Sequence, residues 1–133
     1  MDWGERRIGL AVSDPSGVIA SPLPTLVVGG REEALAGVAK AAREHEAVRI
    51  VVGLPLLMSG ERGRAAEAAL KFASLLGERT GLEVETYDER LTSAQSRRRL
   101  HDVGVKTGRA KGKVDQGAAV VLLESYLTWR AAR

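Results

Sequence analysis

Leu82-Glu83-Val84-Glu85-Thr86-Tyr87 alternates with period two and runs straight into Asp88-Glu89. That period belongs to a strand with one face inward, so the run delivers two carboxylates at its C-terminal end. Just upstream, Ala66, Ala69, Leu70 and Ala73 form the apolar stripe of a helix, and Gly81 is placed to stop it. Before that helix, Val48-Arg49-Ile50-Val51-Val52 is a β-branched run suited to a strand buried on both faces. Strand, helix and strand in this order imply a parallel pair joined by a right-handed crossover.

Working toward the N-terminus, Leu35, Val38, Ala39 and Ala42 mark another amphipathic helix after Gly29-Gly30. Ahead of it, a stub of strand carries Asp2, Gly4-Glu5-Arg6-Arg7 makes a turn, and a second strand covers Ile8 to Asp14. Ser16-Gly17 turns the chain again into an extended segment from Val18 to Val28. Pro22 and Pro24 deny this segment two ladder donors and so place it at a sheet edge. The first three strands are expected to form an antiparallel meander.

Toward the C-terminus, Thr92 or Ser93 caps a helix bearing Arg97-Arg98-Arg99, and Gly104 ends it. Gly104 to Lys113 is Gly-rich, basic and without apolar period, which predicts a loop. The last helix starts near Val114-Asp115, with Ala119, Leu122, Leu123 and Tyr126 on one face. The order β-β-β-α-β-α-β-α predicts an α/β fold with a mixed five-stranded sheet and helices on both faces. In such sheets, sites form at the carboxyl ends of the parallel strands.

Composition bounds the partners. The 133 residues, 44% hydrophobic, suffice for one core, so residues 1–133 are read as a single domain. No cysteine is present, which excludes disulfides and thiolate metal sites and predicts a reducing, cytoplasmic location. Neither a membrane span nor an export signal is expected.

Three carboxylate positions, Asp2, Asp88-Glu89 and Asp115, each fall at the end of a predicted element, where side chains converge. Carboxylates so gathered hold Mg²⁺ or Mn²⁺ beside a phosphodiester, because hard cations prefer oxygen donors and keep room for water and phosphate. Without cations, each close pair would repel by about 4 kcal/mol at an effective dielectric near 20. Arg7 and Arg90 beside the first two positions, and Arg97, Arg98, Lys106, Arg109, Lys111 and Lys113 before the third, are the candidate phosphate contacts. Such groups gain affinity for a nucleic acid by releasing its counterions. The bland alternative is a solvated charged face. Asp14 is read as structural and Asp88 as a support for Arg90. Gly53-Leu54-Pro55-Leu56 follows a strand, where its backbone has a path to substrate, but a turn explains its Gly and Pro equally well and it is read as structural; His45 and His101 are read as surface residues. Trp3 and Trp129 are too few for a stacking platform, although Trp3 beside Asp2 is placed to touch a base or sugar.

Four segments in order carry a resemblance. Asp2-x-Gly4-x-Arg6-Arg7-Ile8-Gly9-x-Ala11-x-Ser13-Asp14, Val51-Val52-Gly53-Leu54-Pro55-Leu56, Asp88-Glu89-Arg90-Leu91-Thr92-Ser93 and Lys113-x-Asp115-x-x-Ala118-Ala119 together resemble the YqgF/RuvX family of RuvC-like nucleases. The resemblance implies the ribonuclease H fold and a metal-dependent nuclease that matures the 5′ end of pre-16S ribosomal RNA, or, by relation to RuvC, cleaves Holliday junctions. It maps the family's acidic triad onto Asp2, Glu89 and Asp115. In that assignment Asp2 bridges two ions, Glu89 is a ligand on the opposite side, and Asp115 is the third ligand and orients water. The partner is then pre-rRNA or branched DNA, with the protein a monomer or homodimer. Two other readings compete: an actin-like phosphate-binding turn, which needs a second domain, and a noncatalytic RNA- or ribosome-binding module.

One departure concerns the first strand. Family members carry several apolar residues before the first Asp, whereas only Met1 precedes Asp2 here. Adding an apolar strand-forming extension before Met1 is expected to raise both the thermal midpoint and metal-dependent cleavage. Melting curves and a cleavage gel run side by side on the two forms check this.

Overall fold

The computed structural model describes residues 6–55, 63–91 and 111–132, with the backbone alone for 111–116. Along them run β1 (Arg7–Ser13), β2 (Ala20–Val27), α1 (Arg31–Glu44), β3 (Arg49–Leu54), α2 (Arg64–Thr80), β4 (Glu83–Asp88), a 3₁₀ turn (Glu89–Leu91) and α3 (Lys111–Ala131).

Among the described residues the strands pair two by two, β1 antiparallel with β2 and β3 parallel with β4. The expected five-stranded sheet is therefore not observed as such: four strands form two sheets, and the stub carrying Asp2 lies outside the described residues. So does the predicted helix from Thr92 to Gly104. The hairpin and the parallel crossover pair are as expected. Pro22 and Pro24 sit in β2, whose one partner among the described residues is β1.

Helices cover both faces. Ile50, Val52 and Leu54, alternate residues of β3, enter one core with Ile8 and Leu10 of β1, Leu35 and Val38 of α1, and Phe72 and Leu76 of α2. The residue between them, Val51, points the other way and joins Tyr87, Leu122 and Tyr126. Because α3 also lies against β1 and β2, this one helix spans both sheets. Among the described residues Phe72, 1% exposed, is the largest fully buried side chain, and its truncation to Ala should cost about 3–5 kcal/mol.

Local chemistry explains the boundaries. The buried positions of α1 are Ala34, Leu35, Val38, Ala39 and Ala42, the stripe visible in the sequence. Gly81 ends α2 in the left-handed region at φ +72, where its N–H bonds the Gly77 carbonyl. Two boundaries differ from expectation. Strand β3 continues through Gly53-Leu54, and α3 is already helical at Lys111, so Lys111 and Lys113 are helix residues rather than loop.

At the far end of α3, Tyr126 ties helix to strands. Its hydroxyl donates to Glu85 of β4 and accepts from Arg130 at 3.0 Å, with Arg49 of β3 at 3.5 Å. Burial, and then the Glu85 contact, push this phenol up to about 12. Arg49 also pairs with Glu83 at 2.9 Å.

Asp14 closes the β1–β2 hairpin. Its carboxylate accepts the N–H groups of Val18 and Ile19, each at 2.8 Å, and the Ser16 hydroxyl. Gly17, at φ +74, permits the turn. The Ser16 hydroxyl first, then the Ile19 and Val18 amides, lower the Asp14 carboxyl from 3.8 to about 2. A carboxyl held below its unfolded value stabilises the fold above that value and stops doing so as pH falls through the folded one. Asp14→Ala should therefore lower the thermal midpoint by a few degrees at neutral pH, with the difference from wild type closing between about pH 4 and about pH 2. Circular-dichroism melts across that range check it.

Candidate metal and nucleic-acid site

The parallel register of β3 and β4 runs from Arg49 opposite Glu83 to Leu54 opposite Asp88. Glu89 is the first residue past the last pair, so the two strands end together and Glu89 stands at their shared carboxyl end. The chain then tightens into the turn Glu89–Leu91, whose last carbonyl faces the Ser125 hydroxyl of α3 at 3.4 Å. Ser125 also meets the Tyr87 hydroxyl at 2.8 Å.

Asp88 and Glu89 have separate environments. Both Asp88 oxygens accept from Arg90: Oδ1 from the backbone N–H at 2.9 Å and Nε at 3.1 Å, and Oδ2 from Nε at 3.0 Å and Nη2 at 2.8 Å. The Arg90 guanidinium thereby holds the Asp88 carboxyl below its usual range. Asp88 is thus the support for Arg90 expected from the sequence. The same contacts set the direction of the Arg90 guanidinium.

Glu89 leans back over the end of β3. A Cβ placed on Gly53 would come within 2.7 Å of Glu89 Oε1, 3.2 Å of its Cγ and 3.1 Å of Leu122 Cδ2. Gly53 is buried, is a strand residue and does not have a positive φ. The reading of Gly53-Leu54-Pro55-Leu56 as a turn is therefore corrected for its first two residues; Leu56 lies outside the described residues. Glycine occupies this position for space, because a neighbouring side chain passes over the backbone. A glycine closing a buried β-branched run was the signal available for this, and the adjoining proline masked it.

Helix α3 relates the third carboxylate position to this end. Leu122 contacts the Gly53 position and Tyr126 the start of β3, so the helix runs antiparallel to β3. Asp115 lies seven residues before Leu122, two helical turns or about 10 Å of rise, toward and beyond the carboxyl end of the strands. Lys111 and Lys113 are on the same first turns.

The remaining candidates divide. Arg7 is half-buried at the start of β1, in the other sheet from Glu89. Asp2, Trp3, Arg97, Arg98, His101, Lys106 and Arg109 lie outside the described residues. His45 is an exposed cap of α1. Trp129 packs on Tyr87 and Tyr126, with ring centroids 5.9 and 6.0 Å away, and is 41% exposed. Among the described residues no three His, Cys, Asp or Glu side chains gather as a metal site. Glu89 alone supplies the fit: a hard oxygen donor seated at the strand ends over a backbone that has no Cβ to displace it. No helix among the described residues is long and apolar enough to cross a membrane.

Comparison with known proteins agrees with this architecture. A family model described as RuvX, Holliday junction resolvase, matches residues 1–129. A protein of Chloroflexus aurantiacus named "Putative pre-16S rRNA nuclease" is 43% identical over 130 residues, covering 98% of this chain and 85% of its own. One of the same name from Anaeromyxobacter dehalogenans is 44% identical over 131 residues, covering 98% and 96%. In three dimensions the chain is similar to Thermus thermophilus RuvC, with a TM-score of 0.58 at 16% identity over 98% of this chain and 93% of that one. RuvC in complex with a Holliday junction substrate gives 0.56 at 17% identity, over 98% and 92%. At these identities the likeness is one of fold.

Proposed function

Because the chain belongs to the RuvX family, we propose that it is a divalent-metal-dependent endonuclease that hydrolyses phosphodiester bonds in structured nucleic acid, with the 5′ end of pre-16S rRNA as its substrate. The observation that carries the reading is Glu89 at the common carboxyl end of β3 and β4, with α3 directing Asp115 toward the same end. The names of the relatives support the substrate.

In this reading Asp2, Glu89 and Asp115 hold Mg²⁺ or Mn²⁺, as two ions. The metal, when bound, supplies positive charge to the phosphate oxygens and lowers the pKa of water. The chain's own contributions are steric and electrostatic. Glu89 is held by the strand ends rather than by a long loop, so little ordering remains to be done when cation and substrate arrive. Arg90, braced by Asp88, presents a guanidinium of fixed orientation beside it. Arg7, Lys111 and Lys113, with Arg97, Arg98, Lys106 and Arg109 of the intervening sequence, are the basic residues assigned to phosphate in this reading. Their contribution is to binding and on-rate, and it weakens with salt.

A second reading, favoured by the description of the family model, gives the same site branched DNA. Resolution of a symmetric junction needs two cuts, which a homodimer would supply and a monomer would not.

Glu89→Gln keeps the shape of the side chain and removes its charge. It is expected to cut metal-dependent cleavage by more than the roughly 10- to 100-fold that loss of a metal's outer-shell partner costs, with folding unchanged. Asp115→Asn should do the same. Gels comparing pre-rRNA fragments, single strands and four-way junctions, with Mg²⁺ and with Mn²⁺, separate the substrates. Full cleavage by either variant would refute the assignment of that residue, and no cleavage of any substrate by the wild-type chain would leave a binding module.

A further inference from the structure

We propose that Gly53 is the positioning residue of the site: the missing Cβ on β3 is the seat of the Glu89 carboxylate, and the absence of a side chain there aims Glu89 as a metal ligand. The inference rests on the reading of Glu89 as a ligand and goes beyond it by assigning its orientation to a residue that touches neither cation nor substrate.

The geometry leaves little choice. An added Cβ would stand 2.7 Å from Glu89 Oε1 and 3.2 Å from its Cγ, both inside ordinary contact distance. Retreat of the strand is blocked on two sides. Gly53 pairs with Tyr87 in the β3–β4 ladder, and Ile50, Val52 and Leu54 bury the opposite face in the main core. Leu122 Cδ2, 3.1 Å from the same point, closes the α3 side. The backbone and the helix are the stiff partners, and the Glu89 side chain is the flexible one. A methyl group at position 53 is therefore accommodated by swinging the carboxylate off the strand end, through rotation about its own bonds.

Conformational freedom is not the reason for this glycine, since its φ is not positive. A strand-interior glycine costs roughly 0.5–1 kcal/mol relative to alanine, so alanine would be the better residue here if nothing passed over the backbone. The close approach of Glu89 is what offsets that preference.

Mn²⁺ titration calorimetry on the full chain tests the inference without relying on cleavage. Gly53→Ala should weaken Mn²⁺ binding at least about tenfold, as loss of an orienting partner does. Glu89→Ala should weaken it too, and the double variant should bind no more weakly than Glu89→Ala alone, because both changes remove one interaction. Wild-type affinity in Gly53→Ala, or losses that add in the double variant, would overturn the role of Gly53 while leaving Glu89 a ligand. Wild-type affinity in Glu89→Ala would instead overturn the ligand reading and this inference with it. A second variant, Gly53→Ala with Leu122→Ala, frees the helix side and leaves the carboxylate collision in place. It should bind Mn²⁺ as weakly as Gly53→Ala, or, where Gly53→Ala alone does not fold, more weakly than Leu122→Ala. Recovery of wild-type affinity would show that the glycine serves helix packing instead.

Discussion

The parallel pairing of β3 with β4 is the constraint from which the site follows. Because side chains alternate along a strand, the register that sets Leu54 opposite Asp88 also decides which residues face which helix. Ile50, Val52 and Leu54 turn toward α1 and α2, and Val51 turns toward α3. A slip of one residue would exchange these sets and put large aliphatic side chains where the Glu89 carboxyl now rests. Burial on both faces makes such a slip expensive, so the hydrophobic pattern of β3 fixes the position of a charged group in the turn that follows β4.

Helix α3 adds the second lock. Its middle is held by Leu122 over Gly53, and its next turn by Ser125 against Tyr87 and Leu91 and by Tyr126 among Arg49, Glu85 and Arg130. These contacts fix both the axial position and the rotation of the helix against the parallel pair. The same helix lies across β1 and β2, so one element packs against both sheets and carries the residue 115 backbone past the strand ends. The aromatic and ionic anchoring lies in the second half of the helix, while Lys111, Lys113 and Asp115 belong to the first.

Much of this was legible in the sequence wherever one residue type has one dominant explanation. The stripes of α1 and α2, the stop at Gly81, the edge character given by Pro22 and Pro24, and the delivery of Asp88-Glu89 at a strand end all follow from period and turn chemistry. What was not legible depended on distant partners. Lys111-Gly112-Lys113 has no apolar period, and its helical state comes from continuity with residues that dock further on. Gly53 reads as a turn glycine until the side chain that crosses it is known, and Glu89 is 36 positions away in the sequence. The ionic cluster at Tyr126 joins residues from β3, β4 and α3, each an ordinary surface charge in its own segment.

Strand β2 has a consequence outside the site. Pro22 stands opposite Ala11, Pro24 lies where the ladder with β1 shifts register, and neither has an N–H, so β2 lacks two donors of the kind that recruit a strand from another molecule. The loss of these donors makes β2 a poorer template for polymerisation than a strand of the same length with every amide in place.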